Sequence, residues 1–487
     1  MVDAQFRSHG LGPVLDSFTL SASQLRVAGL SHEQSALVYG VPGSGKTTAL
    51  KALVMANLRS GLKPEQVLVI TANRDSATKL RDELALEFQG ATPGPMARTL
   101  ASFAFSILRE RALALGFNPP ELITGSEQDQ IISELIDEFL GQEFPTDWPK
   151  QLRKQVLELR GFRTELRDLI TVCLEHEIEP AELAALGAKH EQPQWAAMAS
   201  FFAGYLKRLR EPANENRHDP STLLTVVVRE LQENQIPELV SKLKLVIVDD
   251  AQELTPAAAK LLRVIVSAGS QLVLFGDPDA TTMGFRSANP QAMKELAEAT
   301  GKNFETINLL ESIGSRHKDI TAVLAKVASR ISTERAGTQR AALGATDQEI
   351  GERVEGRVFD LETSELAWLA RRLRQLHLEQ GIAWSDMAVI ARSRDVLEKW
   401  AAALASESVP ALIQGSQTSF RDEFATGNLL RLAKFCIEPG EMNRDMLLEL
   451  LRNPYTGLDA LAIRRVRRRL RQLELDAGGE RTSDQLL

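Results

Sequence analysis

Residues 36 to 53, ALVYGVPGSGKTTALKAL, constrain the fold more than any other stretch of this chain. An apolar run from Ala36 to Tyr39 leads into Gly40, and a helix-forming run begins at Thr47; between them stand three glycines, a proline and one lysine, with almost no bulky side chain. The order this predicts is buried strand, glycine joint, helix. Gly40, Gly43 and Gly45 can take positive φ, so consecutive backbone N–H groups can turn inward without a clashing Cβ and form a cradle for phosphate. The helix that follows directs its positive dipole end to the same place. In the spacing G-x-x-x-x-G-K-T, Lys46 can reach the β and γ phosphates and the Thr47 hydroxyl is placed for Mg²⁺. The expected nucleotide contacts are therefore Gly40, Val41, Pro42, Gly43, Ser44, Gly45, Lys46, Thr47 and Thr48. A chance glycine turn is the competing reading, and the flanking strand and helix argue against it.

A phosphate loop of this kind needs a carboxylate from a neighbouring strand end. The stretch LVIVDDAQE supplies one, placing Asp249 and Asp250 where a buried strand would reach its carboxyl edge. Asp249 is the expected Mg²⁺ ligand and Asp250 the group expected to polarise water. The bland alternative is a pair of solvated acids capping the helix predicted over ELTPAAAKLL. Further on, FGDPDATTMGFRSANP crowds Asp277, Asp279 and Arg286 into one turn.

The rest of the chain extends this pattern. Strand-like runs at 36–40, 67–71, 243–250, 271–277 and 387–392 are each followed by loop residues and a helical pattern, which predicts parallel sheets with crossover helices. Residues 105 to 235 show almost continuous helical periodicity and read as a helical insertion. Residues 333 to 352 lose apolar periodicity and read as a surface linker, after which a second α/β unit begins and turns helical from about 428. A length of 487 residues suits about three domains.

Composition mostly excludes. With 44% hydrophobic and 25% charged residues the chain is ordinary for a globular protein. No apolar run approaches membrane-spanning length and the first thirty residues carry no signal-peptide pattern, so no membrane partner and a cytoplasmic location are expected. Two cysteines, Cys173 and Cys436, exclude a cysteine-ligated metal site and read as buried small hydrophobes, while the seven histidines fall at no metal-ligand spacing. A net charge of −8 leaves nucleic-acid binding to a local basic groove. The one dense basic run, IRRVRRRLRQLEL, would as a helix bury Ile463, Val466, Leu470 and Leu473 and turn its arginines outward. A DNA-phosphate role and a solvated helix face are both open there.

Taken together these stretches resemble the superfamily 1A DNA helicases of the UvrD/Rep type. VDDAQE is similar to the family's V-D-E-A-Q-D, GDPDATTMGFRSA to G-D-P-D-Q-x-I-Y-x-F-R-G-A, TLASFAFSILR to its T-L-H-S-F stretch, and VITANRDSATKLRDEL to T-x-T-N-x-A-A-x-x-M. Gln24 lies where an adenine-reading glutamine precedes the loop, and Arg316 in LLESIGSRH where a γ-phosphate arginine sits. Softer phrases, GFRTELRDLI and RNPYTGLDALAIRRVRRRLRQLE, look most like the AdnA-type subunit of the actinobacterial AdnAB helicase-nuclease.

The resemblance implies an ATP- and Mg²⁺-dependent DNA helicase of break repair, acting on single-stranded and duplex DNA beside a second, AdnB-type subunit. Its implied fold is a P-loop, RecA-like α/β parallel sheet (1A, residues 1–104 and 236–332) with an inserted helical domain (1B, 105–235). A second, incomplete RecA-like domain (2A, 333–427) and the start of a helical domain (2B, 428–487) follow. By the same carry-over Lys46, Asp250, Arg286 and Arg316 would be catalytic, Thr47 and Asp249 would hold the metal, and Thr71, Asn73, Thr99, Ser102 and Phe103 would touch DNA.

The departures matter as well. Asp250 stands for the usual glutamate, Ala280 for a glutamine, Met283 for an aromatic and Ala101 for a histidine. Nothing after residue 392 resembles motifs V or VI, so the resemblance implies an N-terminal portion of a longer protein or a truncated gene product. Two expectations follow: a weakened motor, or a subunit that clamps DNA and binds nucleotide with little turnover.

Overall fold

Six parallel strands fix the geometry of everything else. They are β1 (Ser35–Tyr39), β2 (Val67–Thr71), β3 (Ala97–Thr99), β6 (Leu245–Val248), β7 (Gln271–Gly276) and β8 (Phe304–Asn308), in the spatial order β3-β2-β6-β7-β1-β8. A separate pair, β4 (Glu121–Leu122) and β5 (Arg217–His218), is also parallel. The computed structural model describes residues 20–486 apart from 89–91, 93, 143–147, 212–215, 312–317, 333–337, 352–353, 394, 414–423, 438–450, 452–459 and 483–485.

The central strands are Val-, Ile- and Leu-rich because both faces are covered. On one face Leu37, Leu68, Val246 and Leu274 pack under the helices Leu100–Leu115, Pro220–Glu233, Pro256–Ser267 and Ala292–Thr300. On the other, Val38, Val69, Ile247 and Phe275 pack under Lys46–Arg59 and Arg74–Phe88. Each fully buried Val, Leu or Ile here is worth about 1.5 to 3 kcal/mol. Because all six strands run the same way, their carboxyl ends share one edge, the edge where α/β proteins build ligand sites.

The described helices from Gly125–Leu140 to Pro193–Leu209 form their own body. Ile132, Ile136, Phe162, Leu166, Ile170, Phe202 and Tyr205 share one core, and the Tyr205 hydroxyl donates to Asp219 at 3.1 Å. The helices at either end of the predicted insertion, Leu100–Leu115 and Pro220–Glu233, give Phe103, Ile107, Leu223 and Val227 to the sheet's core instead.

The chain divides into a unit ending at Glu355 and one beginning at Gly356. In the second, helices Glu362–Gln380 and Asp395–Ser406 bury Ala370, Leu373, Leu404 and Val409, and His377 stacks on Trp384 with ring centroids 4.2 Å apart.

Four expectations are corrected. The run 387–392 is not a strand: a strand needs a hydrogen-bonded neighbour and no described strand pairs with it, so Met387 and Val389 pack against the helices' core while Ile390 is 90% exposed. The stretch 333–352 is a surface linker only in part: where it is described, 344–347 and 349–350 are exposed as expected, but its first described segment is not. Thr338–Leu343 is a 3₁₀ segment with Gln339 and Leu343 buried, and a Cβ on Gly351 would meet the buried Asp319 carboxylate at 2.5 Å. Cys173 is buried as expected but Cys436 is exposed. The basic helix Ala460–Asp476 forms, yet of its apolar stripe Ile463 alone is fully buried, with Val466 and Leu473 turned to solvent.

Candidate nucleotide site

The phosphate loop joins β1 to the helix Lys46–Arg59. Gly43 and Gly45 have φ of 76° and 81°, the left-handed conformation that the sequence requires of glycine there. Gly40 is needed for a different reason, since a Cβ would sit 2.3 Å from the Ser44 hydroxyl. That hydroxyl is buried with no hydrogen-bond partner among the described residues, an orphan of the kind a ligand satisfies. Val41 is buried, Pro42 and Gly43 are exposed, and Thr48 is half-buried on the first helical turn. Lys46 folds back, its Nζ donating to the Gly40 carbonyl at 2.7 Å and the Val41 carbonyl at 3.3 Å.

β6 carries the second half. The Thr47 hydroxyl donates to Asp249 Oδ2 at 3.3 Å, so a hydroxyl and a carboxylate from opposite halves of the motif meet. Hard oxygens this close suit Mg²⁺, which uses one or two carboxylates plus substrate phosphates rather than an all-protein cage. In keeping with that, no three His, Cys, Asp or Glu side chains group as a cage among the described residues. Burial, and then the neighbouring Asp250, push the Asp249 carboxyl up to about 6, against the pull of Lys46 and Thr47. A cation would stabilise its charged form.

Asp250 stands in the left-handed region, φ 50° and ψ 45°, at the start of the 3₁₀ turn Ala251–Glu253. Asp tolerates that conformation better than most residues. Its Oδ1 accepts from Gln252 Nε2 at 3.4 Å, and Gln252 Oε1 accepts the Asp277 amide at 3.1 Å. Gln252 therefore ties the end of β6 to the end of β7. Glu253 does the same for the following loop, accepting from the amides of Thr282 and Met283 at 2.7 and 2.9 Å. Both residues lie inside the quoted VDDAQE motif, yet nothing in its spacing reveals these bridges.

A match to the family model described as UvrD/REP helicase N-terminal domain runs from residue 20 to 300, more than half of the chain. The chain belongs to that family. It is 24% identical over 401 residues to the ATP-dependent DNA helicase srs2 of Schizosaccharomyces pombe, an alignment covering 80% of this chain and 43% of the relative. It is likewise 24% identical over 446 residues to the ATP-dependent DNA helicase UvrD1 of Mycobacterium tuberculosis H37Rv, covering 88% and 53%. Against the mitochondrial ATP-dependent DNA helicase HMI1 of Saccharomyces cerevisiae it is 26% identical over 208 residues, covering 41% and 28%. The chain thus spans about half the length of the first two relatives.

The remaining residues expected at the site are distributed unevenly. Gln24 is buried, accepting from the Ser21 amide at 3.1 Å and donating to the Gly45 carbonyl at 3.2 Å, so its amide clasps the phosphate loop. Asn73 and Ser102 are exposed beyond β2 and β3, and Thr99 caps the helix Leu100–Leu115 through the Ser102 amide. Thr71 and Phe103 do not fit the expected DNA contacts. They are 3% and 1% exposed, Thr71 bonding the Asn73 carbonyl and Phe103 filling the core. Arg286 lies on an exposed loop with its guanidinium 5.3 Å from the centre of the Phe285 ring. Arg316 falls outside the described residues. No described helix is long and apolar enough to cross a membrane.

Proposed function

We propose that this UvrD/REP domain is the motor portion of an ATP-dependent helicase that translocates on single-stranded DNA during double-strand break processing. The observation that carries this reading is the 3.3 Å approach of Thr47 to Asp249 beside a loop whose glycines already hold the phosphate-binding conformation. The loop amides and Lys46 bind the triphosphate, Thr47 and Asp249 hold Mg²⁺, Asp250 orients the attacking water, and Arg316 meets the γ-phosphate. Bound Mg²⁺ supplies charge neutralisation on the phosphate oxygens. DNA runs over the edge at Asn73, Thr99 and Ser102, with the exposed Phe285 as a stacking platform for a base and Arg286 coupling that strand to the nucleotide. Residues 1–104 and 236–332 act as domain 1A, 105–235 as 1B, 333–427 as 2A and 428–487 as the start of 2B. The partner is a second, AdnB-type helicase-nuclease subunit.

A second reading keeps nucleotide binding and removes most of the turnover, leaving a subunit that clamps DNA. It is favoured by Asp250, one methylene short of glutamate and already engaged by Gln252. One titration separates the two. Mg-ATP affinity and ATP hydrolysis are measured with and without single-stranded DNA, using Lys46→Ala as the blank. DNA-stimulated turnover supports the motor, tight binding without stimulation supports the clamp, and binding no better than the blank removes both.

A further inference from the structure

We propose that Thr338–Leu343 is a latch that reads the occupancy of the phosphate loop, with Gln339 and Arg340 as its positioning residues. The inference rests on the nucleotide-site reading and adds a regulator to it. The latch grips the site at two places. β7 lies between β6, which leads into Asp249, and β1, which enters the phosphate loop, so the tip of β7 stands between the two halves of the site. On that tip are two acids, Asp277 and Asp279, and consecutive residues of the latch take one each.

Arg340 holds Asp279 with a two-pronged contact, Nε to Oδ2 at 2.6 Å and Nη2 to Oδ1 at 2.5 Å. Gln339, 1% exposed, donates from Nε2 to Asp277 Oδ1 at 3.4 Å. Asp277 is itself 1% exposed and within electrostatic reach of Lys46. A bidentate guanidinium–carboxylate pair is directional as well as strong, so it transmits displacement where a point charge would not.

The second grip is apolar. Val41, the residue after the first glycine of the loop, is buried against Leu343 and against Ala325 and Ala328 of the helix Lys318–Ala328. Thr338 adds a hydrogen bond to Asn308 at the end of β8. Any movement of the loop or of the β7 tip when a triphosphate enters must therefore act on six residues shortly before the chain crosses into its second unit at Gly356. In the latch as proposed, an engaged latch tightens nucleotide binding, and by reciprocity bound nucleotide tightens the latch by the same factor.

The experiment uses the whole chain. Mg-ATP and Mg-ADP affinities are measured by calorimetry for wild type, Arg340→Ala, Arg340→Lys, Asp279→Asn and the double variant Arg340→Ala/Asp279→Asn. Arg330→Ala, an exposed arginine outside the latch, is the control. Arg340→Ala is expected to weaken Mg-ATP binding about tenfold, near the low end of allosteric couplings, and to weaken Mg-ADP binding less. Arg340→Lys should fall between Arg340→Ala and wild type, and the double variant should be no worse than Arg340→Ala. Amide hydrogen exchange across 338–343 of the wild type should slow when Mg-ATP is added, a readout that does not depend on any variant folding. Wild-type binding with Arg340→Ala unchanged, or exchange unaltered by Mg-ATP, overturns the latch and leaves the nucleotide site standing. A wild type no better than Lys46→Ala overturns the site and the latch together.

Discussion

Thr47 and Asp249 are 202 positions apart in the chain and meet at 3.3 Å, hydroxyl to carboxylate. The contact exists because β1 and β6 sit on either side of β7 with all three strands parallel, so the residues just beyond their ends converge. Replacing the hydroxyl by a methyl group in Thr47→Val keeps the shape and removes one oxygen donor. The expected result is a Mg²⁺-dependent affinity for ATP about 10- to 100-fold weaker, the scale of one charge-assisted contact. Affinity measured in the presence of a chelator should hardly change. Titrations with and without Mg²⁺ make the comparison.

Burial sets a pH dependence on the nucleotide-free protein. The Asp249 carboxyl is raised from 3.8 to about 6, so the fold favours its protonated form. Its contribution to stability is fully present below about pH 4 and is lost as pH rises through 6, when a charge must be held in a buried place. Two pKa units correspond to about 3 kcal/mol. Asp249→Asn, which cannot ionise, should therefore be more stable than wild type by up to about 3 kcal/mol at pH 8 and by little at pH 4. Urea unfolding at the two pH values tests this, and an equal difference at both would count against it.

What could be seen in the sequence was local. The phosphate loop announces itself because strand, glycines, lysine and helix are contiguous, and Asp249 because a carboxylate follows four apolar residues. Phe103 was misplaced because a helix N-terminus beside the site has two faces, and spacing alone does not say which one points at the sheet. The latch was invisible for another reason: Gln339 and Arg340 sit in a stretch without apolar periodicity, and their hydrogen-bond partners are acids about 60 positions earlier. Ile390 erred the other way, since an apolar run forms a strand only beside another strand.

Gly276 ends β7 where a side chain has no room. A Cβ there would stand 2.5 Å from Met293 Sδ and 2.7 Å from Gln252 Oε1, and both of those residues are buried. Gly276→Ala is expected to cost about 1 to 3 kcal/mol as overpacking. Because the displaced Gln252 also holds Asp250 and the Asp277 amide, any ATP turnover should fall beyond what the stability loss explains. Denaturant midpoints beside turnover at a temperature where both proteins are folded separate the two effects.

Asp250 carries a conflict between reach and conformation. A glutamate would extend the carboxylate by about 1 to 1.5 Å, and a displacement of that size can change a rate about 10²-fold. The backbone here is left-handed, φ 50°, which a longer side chain adopts at a cost of up to about 1 kcal/mol. Asp250→Glu is therefore expected to raise ATP turnover while lowering the melting temperature, and adding Ala280→Gln to raise turnover further. The motor is limited by carboxylate reach if that trade appears. A wild type that already turns over rapidly, or a glutamate variant that loses stability without gaining rate, would show that Asp250 is placed correctly as it stands and that Gln252 holds it in its working position.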